Sequence, residues 1–184
     1  MGKFSAQISD VHEAFIGKQK MFFVATTPSS PQGHLNLSPK GLDAFRVISP
    51  TEVIYMDIIG SGNETAAHLQ DDGRITFMFC AFEGSPNILR LYGHGQVIRR
   101  EHPEWETYQA LFTVYPSTRQ FIYARIHLVQ TSCGYGVPFY AYQGERSQHF
   151  DWAAHKGTEG LARYEAEKNR ISLDGQAIAP ASDS

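Results

Sequence analysis

Nowhere in this sequence do roughly 20 apolar residues run together, the length a bilayer-crossing helix needs, so no membrane partner is expected. Cysteine is scarce. Cys80 closes an apolar run and reads as a buried small hydrophobe, while Cys133 sits among small turn-forming residues. Two cysteines make no zinc site by themselves, and in a reducing compartment they are not expected to pair. Met1 to Asp10 holds no apolar core of signal-peptide length, which leaves the cytoplasm as the expected location. Basic blocks are missing as well: 16 Lys and Arg face 19 Asp and Glu, and the net charge of −3 excludes nucleic-acid binding by bulk electrostatics. The eight histidines show no His-Glu-x-x-His and no other compact ligand spacing, so no metal is expected. There is no Gly-x-Ser-x-Gly elbow, and Ser38 and Ser61 have no visible base, which excludes a hydrolase triad.

What is present is a globular composition, 42% hydrophobic and 19% charged over 184 residues, enough for one domain with a real core. Residues 1–175 are expected to form that domain and 176–184 a disordered tail. A helix is expected from Ser9 to Gln19, capped by Ser9 or Asp10. Strands follow at Met21–Thr26, His34–Ser38, Phe45–Ile48 and Glu52–Ile58, with Pro39-Lys-Gly41 interrupting the second. After a short helix come strands at Arg74–Phe82 and Ile88–Arg99, a helix at Pro103–Phe112, a strand at Phe121–Thr131 and a last helix at Gln148–Asn169. Gly93 and Gly95 stand where a strand must bend or admit a ligand. The pattern predicts a mainly β chain, a closed antiparallel barrel with flanking helices.

Chemistry concentrates in Tyr55-Met-Asp-Ile-Ile-Gly-Ser-Gly-Asn-Glu-Thr-Ala-Ala-His-Leu69. A strand breaks into small residues and restarts as a helix, which leaves backbone N–H groups free at the positive end of a helix dipole. That arrangement favours an anion such as a phosphate. Ser61-Gly-Asn-Glu64 also fits a capping box, with Ser61 as cap and Glu64 reaching back, and the two readings can coexist. Lys40, at the end of Leu37-Ser-Pro-Lys-Gly41, is the natural cationic partner, against the plainer reading of a solvated surface lysine. Arg90, Tyr92, His94 and Gln96 share one strand face, which fits solvent exposure, a ligand groove or a subunit interface.

Taken together, these segments resemble the pyridoxamine 5′-phosphate oxidase-like family of split β-barrels that bind flavin mononucleotide (FMN). The resemblance covers nearly the whole chain. It rests on His34–Gly41, Ile59–Leu69, Gly73–Phe79 and Leu89–Val97, and on Gln130–Pro138 and Glu167–Gly175, which mark a bacterial subgroup distinct from the true oxidases. It implies a homodimer with FMN sites at the subunit interface. Phosphate-binding roles then fall on Lys40, Ser61, Gly62, Asn63 and Thr65, and the flavin ring lies along Asn36, Leu37, Ser38, Met56 and Asp57. Arg90, Tyr92, Cys133 and Tyr135 would come from the facing subunit.

Two departures stand out. Asn63-Glu64 replaces the Arg-Lys pair usual at the oxidases' helix start, so Glu64 adds a negative charge beside the expected dianion unless it turns away. The oxidases' C-terminal substrate segment is also missing, which argues against pyridoxine phosphate as substrate. The resemblance therefore implies an FMN-dependent oxidoreductase acting on another small molecule, with no acid or base assigned. Tyr135, His94 and Arg90 are the residues expected at a substrate pocket. The alternative is a non-catalytic binder of a flavin, a deazaflavin, or haem or another tetrapyrrole.

Overall fold

Residue order and apolar spacing turn into twelve elements in a computed structural model that describes residues 2–179. Helix α1 (Asp10–Ile16) starts where Ser9 accepts from the His12 amide while the His12 ring accepts from the Ser9 amide, a reciprocal cap. Strand β1 (Lys3–Ser5) precedes it and was not foreseen, being too short for a period to show. Strand β2 (Phe22–Thr26) alternates buried and half-buried residues, with Phe22, Val24 and Thr26 inward. Strand β3 (Asn36–Lys40) runs through Pro39, which was expected to end it. It is the outer strand of the sheet, so the missing N–H breaks no central ladder. Strands β4 (Phe45–Ser49) and β5 (Glu52–Ile58) follow, then α2 (Glu64–Asp71), β6 (Arg74–Cys80) and β7 (Ile88–Ile98). The chain continues through α3 (Trp105–Gln109), β8 (Thr118–Ser132) and α4 (Gln148–Lys168), which breaks at Gly157, where φ is 62°.

The sheet runs β3-β2-β6-β7-β8-β5-β4 with antiparallel neighbours, and β1 pairs with the far half of β8. The expected closure is not found. Among the described residues β3 and β4 remain ends of the hydrogen-bonded path, so the sheet curls without closing. Gly93 marks a bulge in the β7–β8 ladder, where an added Cβ would lie 2.4 Å from the Arg125 carbonyl oxygen. At Gly95 a Cβ would meet Leu69 of α2 at 2.8 Å, so the helix, not a ligand, occupies that gap.

Inside the curl Phe22, Phe45, Tyr55, Phe77 and Phe79 pack ring against ring at centroid distances of 5.0–6.5 Å. Ile54, Met56 and Phe121, on the reverse face of β5 and β8, pack under α3 through Trp105 and Tyr108. Helix α2 lies on β2, β6 and β7. Residues 176–179, read as the start of a disordered tail, are instead placed against α2. Ala177 bridges to Ile171, and Ile178, 3% exposed, packs on Ala66 and Ala67. The rest of that expected tail, 180–184, lies outside the described residues. Among the described residues no helix is long and apolar enough to cross a membrane.

Candidate functional site

Alternation along β3 sends Asn36, Ser38 and Lys40 to one face, and that face forms one wall of a cleft of about 430 Å³. Met56 and Ile58 of β5 line it, with the linker from Ile59 to Asn63, the opening residues Glu64 and Thr65 of α2, Arg119 of β8 and His149 of α4. Leu37 points to the opposite face and is 60% exposed, so its side chain does not reach the cleft.

Beneath the cleft lies Asp57, 1% exposed, next to the end of β5 after the apolar run Val53–Met56. A buried carboxylate needs cations and donors, and here it has both. Lys40 Nζ approaches Oδ1 at 2.7 Å, while Arg119 Nε and Gln120 Nε2 each reach Oδ2 at 2.9 Å. Burial pushes the Asp57 pKa up, but Arg119 and Lys40 outweigh it and hold the carboxyl well below its usual range. Two cations thus share one carboxylate, and the other acid lining the cleft, Glu64, is bound by an amide and not by a cation. Asp57 is better described as the anchor of Lys40 and Arg119 than as a surface for a flavin ring.

Arg119 ties the site together. Its Nη1 donates to the Gly62 carbonyl at 3.0 Å and to Asn169 Oδ1 at 2.6 Å, and among the described residues Nη2 keeps its donors. Asn169 in turn donates to the Gly60 carbonyl at 3.0 Å, so the Gly60-Ser61-Gly62 turn is held by both side chains. The expected capping box does not form. Asn63, not Ser61, occupies the N-cap position and makes no side-chain cap; its Oδ1 accepts from Gln120 at 2.8 Å. Glu64 does not reach back to the cap but accepts the Leu173 amide at 3.0 and 3.1 Å, at the edge of the cleft. The first amides of α2 are therefore left for another acceptor. Thr65 Oγ1 accepts from Asn36 Nδ2 at 3.2 Å, and its hydroxyl lies beside that of buried Tyr55.

His149 forms the outer wall. Its Nε2 lies 2.8 Å from the hydroxyl of buried Ser117, its ring lies tilted beside Trp152, and burial lowers its pKa. Sequence reasoning missed Arg119, Gln120, His149 and Asn169. Asp57 carried the one usable signal, because an acid inside a buried strand demands a nearby cation. Arg90, Tyr92, Cys133 and Tyr135 are not brought to this cleft. Arg90 binds Ser132, Tyr92 binds Gln130, and Tyr135 is 84% exposed. His94 packs beside His127, also away from it. Among the described residues no group of three metal-ligating side chains comes together.

The chain resembles known proteins in both sequence and shape. The family profile described as pyridoxamine 5′-phosphate oxidase matches residues 8–133. The pyridoxamine 5′-phosphate oxidase family protein ustO of Aspergillus flavus is 41% identical over 139 residues, which is 73% of this chain. The chain spans only about half of that relative's length, 55%. A single-residue variant of HupZ from group A Streptococcus shares the fold with a TM-score of 0.55 at 18% identity, over 68% of this chain and 99% of that one. A protein of Lactobacillus delbrueckii, provisionally assigned as a pyridoxamine 5′-phosphate oxidase, follows with a TM-score of 0.54 at 12% identity, over 68% and 94% of the two chains. With the profile covering more than half of its length, this chain belongs to the pyridoxamine 5′-phosphate oxidase family.

Proposed function

We propose that the cleft binds FMN and that the protein is a flavin-dependent oxidoreductase acting on a small molecule other than pyridoxine phosphate. One observation carries this reading: the uncapped start of α2 opens into a cleft lined by the two cations Lys40 and Arg119, with the acid there, Glu64, engaged by the Leu173 amide. The donor set fits a phosphate monoester. Lys40, the free Arg119 Nη2, the Thr65 hydroxyl and the first α2 amides are all donors, and charge-assisted bonds to an anion are the strong kind. Ser61 and Gly62 form the edge of the same corner.

Asn36 and Ser38, joined by a 3.0 Å hydrogen bond, and the apolar Met56 would flank the flavin ring. When bound, FMN supplies the two-electron chemistry, and the protein orients it and tunes its polarity. His149 is the titratable group placed to take or give a proton at the cleft mouth.

The working unit in this reading is a homodimer whose partner covers the cleft with the Arg90–Tyr92 face and the turn at Cys133 and Tyr135. The exposed aromatics Tyr135, Phe139 and Tyr140 support that, being 84%, 79% and 64% exposed on one short stretch.

Fluorescence titration with FMN and with riboflavin, which lacks the phosphate, tests the reading. FMN should bind at least about tenfold more tightly, since hydrogen bonds to charged groups are each worth about 1.5–3 kcal/mol. Equal affinities, or no uptake of either, would overturn it. Bleaching of the bound flavin by a reduced nicotinamide under anaerobic conditions tests the redox step.

A further inference from the structure

Residues 169–179 fold back as a small hairpin on α2. The Ile178 amide donates to the Arg170 carbonyl, the Ser172 amide to that of Gln176, and Gly175 makes the turn at a φ of 78°. These residues lie beyond the stretch that matches the family, 8–133. The hairpin is fixed at several places. Asn169 is buried between Arg119 and Gly60, and Ile178 is buried on Ala66 and Ala67. Asp174 accepts from the amide and is paired with the ring of His34, and Gln176 reaches Asp71.

A further attachment to α2, at Glu64, is chemically different, because it engages the acid at the anion corner. Glu64 opens α2 and lines the cleft, and a methyl group placed on Gly62 would sit 3.4 Å from its Oε1. A carboxylate in the first turn of a helix is attracted by the free amides and the dipole there, the same features that attract a phosphate. In the docked state the Leu173 amide takes both oxygens of Glu64, at 3.1 and 3.0 Å, and so holds the carboxylate aside.

We propose that the 169–179 hairpin is a switch for anion binding at this corner. Docked, it keeps Glu64 off the opening turn of α2. Undocked, it frees Glu64 to occupy those amides and repel the incoming phosphate. Glu64 is thus a competitor built into the chain, and the hairpin decides whether it competes. The inference rests on the phosphate site proposed above and adds its regulation.

The test uses Ile178→Asp, which places a carboxylate where the hairpin docks on Ala66 and Ala67, and separately Leu173→Pro, which removes the amide that holds Glu64. Each is combined with Glu64→Gln, and FMN and riboflavin affinities are measured by fluorescence for every form. Each single variant should lose about tenfold in FMN affinity, the scale of a partly screened charge repulsion. Riboflavin binding should change little, and adding Glu64→Gln should return FMN affinity to within about threefold of wild type, as removal of a shared repulsion requires. Unchanged FMN affinity in both single variants would overturn the switch. So would a loss shared with riboflavin, or one that persists after Glu64→Gln, since either marks a merely structural role. Wild-type protein with no preference for FMN over riboflavin would instead defeat the phosphate site itself, and the switch with it.

Discussion

Two acid–base clusters, one under the cleft and one between β3's approach and the C-terminal hairpin, differ in almost everything except charge. Asp57, with Lys40 and Arg119, is sealed in: side-chain exposures are 1% for the acid and 22% and 4% for the cations. The His34–Asp174 pair lies open, at 71% and 19%. In the first, removal from water makes each group dependent on the others, so the pair behaves as fixed framework. In the second, water and salt screen the attraction and protonation is easily reached, so the pair holds the hairpin weakly and reversibly. Burial, not charge, separates a foundation from a latch.

The sharpest way to break that contrast is Asp57→Ala. It leaves Arg119 buried without its acid, and breaking a buried pair costs about 3–5 kcal/mol, so urea denaturation should show the largest loss of any substitution here. A loss under about 1 kcal/mol, the surface-pair range, would erase the distinction. Arg119→Met should come next. It removes the hold on Gly62 and the free donors, and FMN affinity should fall by roughly 10- to 100-fold, the range of a charged hydrogen bond, while riboflavin affinity shifts far less. Isothermal titration would show it. Lys40→Ala should weaken FMN by about tenfold and Thr65→Val by a smaller factor, because a neutral donor contributes less than a charged one. No change in either would move the phosphate away from α2.

The smallest effect belongs to the latch and follows pH. Its hydrogen bond and attraction to Asp174 raise the His34 pKa, so its contribution is complete below about 6.5 and disappears as pH rises through the raised value. The bonds from His34 lower the Asp174 pKa, so its contribution is complete above about 3.8 and disappears as pH falls through the lowered value. His68 also acts on Asp174 from α2. Hairpin docking should be firmest between those limits, and the protection of the Leu173 amide, its exchange rate relative to the intrinsic base-catalysed rate at the same pH, should fall at pH 8.5 relative to pH 6. His34→Ala should abolish the difference. The Asp57 cluster should stay intact over the same interval, since its carboxyl ionises below the ordinary range. Protection that ignores pH would show that the open pair does not hold the hairpin.

Much of the fold could be read from spacing. Alternation located β7 and β8, and apolar runs located β2, β5 and β6, to within a few residues, because a half-buried strand repeats every second position and a strand buried on both faces is apolar throughout. Gly62-Asn63 marked the start of α2, and Lys40 was read as the cation nearby. Pro39 misled, since whether a strand tolerates proline depends on its being at an edge. The Ser61–Glu64 capping box misled as well, since Glu64 had a distant competitor for its hydrogen bonds in the Leu173 amide.

From sequence alone came the strand content, the family resemblance and a helix start suited to an anion, all of which depend on residues close together in the chain. Tertiary structure decided what joins Asp57 to Arg119 and Gln120, 62 and 63 positions away, and Glu64 to Leu173, 109 away. It also left the curled sheet unclosed and placed His149 at the mouth of the cleft. The physical reason is range: backbone period and capping act over a few residues, whereas charge pairing, burial and cleft shape depend on which distant strands the fold brings side by side.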